Sequence, residues 1–92
     1  VFMGIANTSG LAVDYPGYLL RQGSRGDNVL LMQEYLRTIS QRYPIPTIVA
    51  DGIFGAATKN AVTAFQRTFG LTPDGIIGKN TWGRIVAVRL LM

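Results

Sequence analysis

Apolar residues recur at helical spacing in three separate stretches of the chain. In the first, Val29, Met32, Leu36 and Ile39 fall three or four apart with Gln33 beside them, and Glu34, Arg37 and Gln41 take the opposite positions. Leu31, Tyr35 and Thr38 flank this stripe, which is the pattern of an amphipathic helix with one buried face. Gly26 or Asp27 suits the cap position in front of it. Tyr43-Pro44-Ile45-Pro46 ends it, because proline has no N–H to continue the ladder and restrains its predecessor. The pattern predicts a helix over 27–41. In the second stretch Ala57, Ala61, Phe65 and Phe69 fall four apart with Val62 alongside, and Gly70 is a suitable stop; the prediction is a helix over 56–69. In the third, Trp82, Ile85, Val86 and the stem of Arg89 share a face, which predicts a helix over 79–90. Ile48-Val49 is a short extended run, and short extended pairs beside the loops are compatible with the pattern. No segment alternates convincingly with period two. The expected class is all-α: a compact three-helix bundle with structured Asp-Gly turn loops.

The loops repeat. Residues 51–58 read D-G-I-F-G-A-A-T and residues 74–81 read D-G-I-I-G-K-N-T. The shared frame is an Asp-Gly turn, one apolar residue that anchors in the core, a Gly and then a helix. Aspartate accepts bonds from backbone N–H groups two or three residues on. Gly52 supplies a conformation that a Cβ penalises. Gly55 falls at the cap of the second helix and leaves Thr58 at its third position. Residues 1–18 lack such order. Gly4, Gly10, Pro16 and Gly17 punctuate them, which reads as an arm or linker. Val1, Phe2, Ile5, Leu11, Val13 and Tyr15 are too apolar for a fully solvated linker, so part of the arm is expected to pack on a domain of residues 19–92.

Composition narrows the chemistry. Ninety-two residues make one small domain. There is no Cys, so burial alone must supply the core. There is no His either. Together these absences exclude, within this chain, zinc sites with His or Cys ligands, Ser-His-Asp triads and Cys-His pairs. Only Asp14, Asp27, Glu34, Asp51 and Asp74 carry carboxylates, and the Asp-Gly turns and a helix start use three of them. The expectation is no catalysis and no cofactor. Net charge is +4, which favours anionic partners. The cations are scattered, and solubility alone would also explain them. Arg84 and Arg89 interrupt the apolar C-terminal stretch, so no membrane span is expected. The first residue is Val and no signal peptide is visible. The chain reads as a fragment whose export signal lies outside it.

Three motifs occur in order: L-R-x-G-S-x-G-x-x-V-x-x-x-Q-x-x-L over 20–36, D-G-x-F-G-x-x-T-x-x-A-V-x-x-F-Q-x-x-x-G-L over 51–71, and D-G-x-x-G-x-x-T-W over 74–82. The combination, with Phe65-Gln66 and Thr81-Trp82, resembles the type 1 family of peptidoglycan-binding domains over about 19–88. Those are three-helix wall-targeting modules of bacterial cell-wall hydrolases. Met32 stands where the family usually has Leu, and Lys79 stands where Pro is common. The resemblance implies a non-catalytic module that binds peptidoglycan and targets a linked catalytic domain. It implies a monomer at the cell wall or spore envelope, outside the cell. The Tyr43–Thr47 segment resembles a subset of the family in spore-forming Gram-positive bacteria.

Most motif residues are expected to specify the fold. Phe54, Phe65, Phe69 and Trp82 read as core, since large aromatics dominate small cores. Gln33 and Gln66 read as buried amides that bond loop backbone. For a wall polymer of sugar hydroxyls, amides and carboxylates, the candidate contacts are Tyr35, Arg42 and Tyr43 near the end of the first helix. Asn60, Gln66 and Arg67 on the second join them, with Asp51 and Phe54 at the turn between. A groove near that first turn is the expected site, and Arg25 is an alternative donor. Two other classes stay open. A DNA-binding three-helix domain would read bases from Lys59, Asn60, Thr63 and Arg67. A protein-docking module would carry an exposed apolar patch. Neither nucleic acid nor membrane is the expected partner.

Overall fold

A computed structural model of the chain describes residues 13–92, and three helices form among them: α1 (Asp27–Ser40), α2 (Ala56–Thr68) and α3 (Lys79–Leu90). Each ends within one residue of the bounds that the apolar spacing predicts. Gly26, Gly55 and Gly78 hold the three cap positions. Gly70, with φ +73°, takes the left-handed turn that stops α2. Residues 1–12 of the expected arm lie outside the described residues.

The stripes become one core. Val29, Met32, Gln33, Leu36 and Ile39 of α1 are buried, as are Ala61, Val62, Phe65 and Gln66 of α2 and Trp82, Ile85, Val86 and Val88 of α3. Helix α1 packs against both others and most extensively against α3. One position departs from the expected stripe. Ala57 is exposed, and Thr58 beside it turns inward to take a buried hydrogen bond. Side chains at the start of a helix face where the incoming loop directs them, and here the loop favours the hydroxyl. Phe69 is half-buried, with Tyr43 against it edge-on at 5.0 Å between ring centroids.

The loops are tied in by backbone pairing. Leu20 exchanges hydrogen bonds with Ile77, at 3.0 and 2.8 Å. One turn further on, Gly23 N–H donates to the Phe54 carbonyl and Phe54 N–H donates to the Ser24 carbonyl, both at 2.9 Å. The segment 20–25 thus clips both Asp-Gly loops, and Ile77 and Phe54 are pulled into the core at 0% and 1% exposure. Among the described residues these are isolated bridges and not strands. Val13 and Tyr15 pack against the core. The Trp82 Nε1–H donates to the Val13 carbonyl at 2.9 Å, and the Tyr15 ring meets the indole edge-on at 5.9 Å.

Candidate functional site

The two Asp-Gly loops are held by the same clamp. Gln33 lies in the core beneath the first. Its Nε2 donates to the Ile53 carbonyl at 2.9 Å, to Thr58 Oγ1 at 3.0 Å and more distantly to Asp51 Oδ1 at 3.3 Å. Its Oε1 accepts from the N–H groups of Gly52 at 2.8 Å and Asp51 at 3.1 Å. Gln66 repeats this beneath the second loop. Its Nε2 donates to Asp74 Oδ1 at 2.9 Å, the Ile76 carbonyl at 3.0 Å and Thr81 Oγ1 at 3.2 Å, and its Oε1 accepts from Gly75 N–H at 2.9 Å. Each Asp closes its own turn by accepting the N–H two residues on, at 3.0 Å. The chemistry explains the residue types. Only an amide presents a donor and an acceptor side by side at that reach, and the loop needs both. Among the described residues no buried side-chain polar atom lacks a partner. The hydrogen bond from Ile53 N–H, and then that from Gln33, stabilise the Asp51 carboxylate and lower its pKa below the usual 3.8.

Clefts open beside both clamps. The one at the second loop, about 510 Å³, is lined by Leu19, Gly70, Leu71, Thr72, Asp74, Ile76, Gly78, Lys79, Asn80 and Thr81. The one at the first loop, about 330 Å³, is lined by Val49, Asp51, Ile53, Gly55, Ala56, Ala57 and Thr58. The repeat relates them position by position: Val49 corresponds to Thr72, Asp51 to Asp74, Ile53 to Ile76, and Ala56-Ala57 to Lys79-Asn80. One scaffold therefore carries two clefts with different linings. The first carries the carboxylate of Asp51 and, among the described residues, no cation or amide. The second is larger and carries a cation and an amide. A third cleft, about 250 Å³, lies across the Asp74–Ile76 turn from the second and adds Arg21, Gln22 and Lys59.

The eight sequence-predicted contact residues do not converge on one groove. Phe54 and Gln66 are each 1% exposed. Phe54 is a core anchor and Gln66 has its polar atoms committed to the second loop, so neither is available to a ligand. Asp51 is exposed and lines the first cleft, with Oδ1 engaged by the turn. Tyr35 is half-buried with the Arg89 guanidinium over its ring at 5.9 Å. Tyr43 is half-buried against Phe69. Arg42, Asn60 and Arg67 are exposed. Asn60 and Arg67 are two turns apart on one face of α2. The alternative donor Arg25 is exposed too, and its backbone bridges to Ile53. The second-loop cleft was missed because its variable residues, Lys79 and Asn80, sit at the unassigned positions of the repeated frame. Comparing the two copies at those positions, Ala-Ala against Lys-Asn, is the signal that marks it.

Comparison with known proteins finds a family match over residues 25–85, to the peptidoglycan binding domain. The zinc D-Ala-D-Ala carboxypeptidase of Streptomyces albus G is 39% identical over 66 residues, 72% of this chain and 25% of that protein. A probable N-acetylmuramoyl-L-alanine amidase of Bacillus licheniformis is 34% identical over 65 residues, 71% of this chain and 18% of that protein. The chain thus spans a quarter or less of the length of these two relatives. Among solved structures, the SleB N-terminal domain superposes with a TM-score of 0.74 at 29% identity, covering 82% of this chain and 97% of that one.

Proposed function

Because the chain belongs to the peptidoglycan binding domain family, we propose that it is the wall-anchoring part of a larger secreted protein, holding a linked catalytic domain against peptidoglycan. The match of this one small domain to a minor part of wall-cleaving relatives supports the reading most directly. The chain corresponds to the non-catalytic portion of such hydrolases. Its own chemistry agrees: it has neither His nor Cys, and the carboxylates of Asp51 and Asp74 are turn acceptors. A module of this kind needs only modest affinity for each site. The polymer is repetitive, and tethering raises the effective concentration of the partner domain at its substrate. The proposed place of action is the wall outside the cytoplasm, and the proposed unit is a monomer.

Incubating the pure domain with purified sacculi tests the division of labour. Protein should leave the supernatant while turbidity and released reducing sugar stay at the blank. Solubilisation above the blank that is lost on mutating Asp51 or Glu34 would show the chain to be an enzyme.

A further inference from the structure

Building on the wall-binding reading, we propose that the ligand is gripped at the second Asp-Gly loop, and that the part gripped is the carboxylate-bearing peptide stem of the polymer and not its sugars. The contact surface is the cleft between Leu19 and Leu71 on one side and Lys79 and Asn80 on the other, continued across the Asp74–Ile76 turn to Arg21 and Lys59.

Three observations carry this. The first is internal to the fold. The two loops share one clamp and a common set of lining positions, so the side chains that differ at those positions are not required by the clamp. At the corresponding positions the second cleft has Lys79 and Asn80 for Ala56 and Ala57 and Thr72 for Val49, and it is enlarged by Leu19, Gly70 and Leu71. Lys79 and Asn80 are exposed and contribute nothing to the core.

The second observation is charge. Arg21, Lys59 and Lys79 border the two adjoining clefts, against Asp74 as the one carboxylate of their lining among the described residues. Oδ1 of Asp74 is held by Gln66 Nε2 and Ile76 N–H. Lys59 is also placed there by packing. Its stem lies over Gly75, so near that a Cβ on Gly75 would fall 2.8 Å from the Lys59 Cγ. The net field favours an anion.

The third observation is that, among the described residues, no aromatic side chain belongs to this lining. Sugar rings stack on exposed aromatic faces, whereas Trp82, Phe54 and Phe65 are in the core and the exposed Tyr18 does not line either cleft. Leu19, Leu71 and Ile76 offer short aliphatic contacts suited to methyl groups. A chain of alanines and free carboxylates matches both the cations and the aliphatic walls.

The test is equilibrium binding to sacculi by co-sedimentation, with two ligands and a matched pair of variants. Lys79→Glu reverses a charge in the second cleft, and Ala56→Glu places the same charge at the corresponding position of the first. The pair therefore controls for the favourable effect of an acid in the first turn of a helix; net charge falls by two in Lys79→Glu and by one in Ala56→Glu, so Lys79→Ala, which also lowers it by one, is the charge match for Ala56→Glu. Lys79→Glu is expected to weaken binding roughly fivefold or more, since one attraction is replaced by a repulsion. Ala56→Glu is expected to change it by less than about twofold. Asn80→Ala should weaken binding without altering charge. Sacculi stripped of their stem peptides by an amidase should no longer retain the wild type. Circular dichroism verifies that each variant is folded.

The assignment is overturned if the wild type binds and both Glu variants bind alike. Equal retention on stripped glycan overturns the stem-peptide assignment. Loss of binding confined to Tyr43→Ala and Arg67→Ala would move the site to the ends of α1 and α2. If the wild type binds neither sacculus preparation, the wall-binding reading itself fails, and the assignment fails with it.

Discussion

Gln66→Met removes the second clamp while keeping the length of the side chain, so its cost can be worked from the hydrogen bonds it breaks. Gly75 is buried, and its N–H loses its one acceptor. An orphaned buried donor costs about 1–3 kcal/mol. The Ile76 carbonyl and the Thr81 hydroxyl lose a donor. Ile76 is half-exposed, so water replaces part of that bond, and about 1 kcal/mol more is a fair allowance. The sum is about 3 kcal/mol. A domain of this size has a total stability of about 5–14 kcal/mol. Urea unfolding followed by far-ultraviolet circular dichroism and Trp82 emission measures the loss. With a slope near 1 kcal/mol/M, the midpoint should fall by about 3 M at unchanged slope. Gln33→Met should cost at least as much, because Gln33 Oε1 accepts from two N–H groups. A loss below about 1 kcal/mol in both variants, with the slope unchanged, would refute the clamp as a main determinant of the loops.

Other substitutions separate backbone from packing. Gly52 and Gly75 both have positive φ, so Ala at either position should cost about 1–2 kcal/mol for the left-handed conformation. Gly75→Ala should cost about 1 kcal/mol or more beyond Gly52→Ala, because its Cβ would meet Lys59 and Thr63 at 2.8 and 3.0 Å while that of Gly52 finds ordinary contact at 3.5 Å. Equal losses in urea unfolding would contradict the close packing of Lys59 and Thr63 on Gly75. Phe65→Ala, at a fully buried site, should cost about 3–5 kcal/mol and markedly lower the thermal midpoint followed by circular dichroism. The Asp51 pKa is lowered in the folded state, so the carboxylate contributes stability at pH values above the unfolded value near 3.8. That contribution disappears as pH falls through the lowered folded value. Asp51→Asn should therefore lower stability at pH 7, and its gap to wild type should narrow as pH falls below 3.8 in acid titrations of the unfolding midpoint. A gap that is constant across that range would contradict the assignment.

The helices were legible because their apolar stripes are regular and their ends carry glycine or proline, which act locally. The buried glutamines were legible for a related reason: an amide beside a core stripe has to find partners, and the nearby Asp-Gly loops offer them. What the sequence concealed is which surfaces lie together. Asn60 and Arg67 share a face, but nothing in their spacing tells whether Tyr43 or Asp51 faces the same way. Phe54 shows the same limit from the other side. An aromatic residue at a loop suits either a ligand platform or an anchor, and the backbone bonds from Gly23 and to Ser24 decide for the anchor. The second-loop cleft needs Leu19, brought up from the N-terminal side by the pairing of Leu20 with Ile77. That juxtaposition is set by tertiary structure and has no local signature.

The most direct measurement is a binding isotherm of the isolated domain on purified sacculi free of teichoic acid, at low and at moderate salt. The account predicts saturable depletion of the folded wild type from the supernatant. Binding should weaken as salt screens the cations around the second loop, and Phe65→Ala should not bind once unfolded. A wild-type domain that stays in the supernatant at low salt would contradict it.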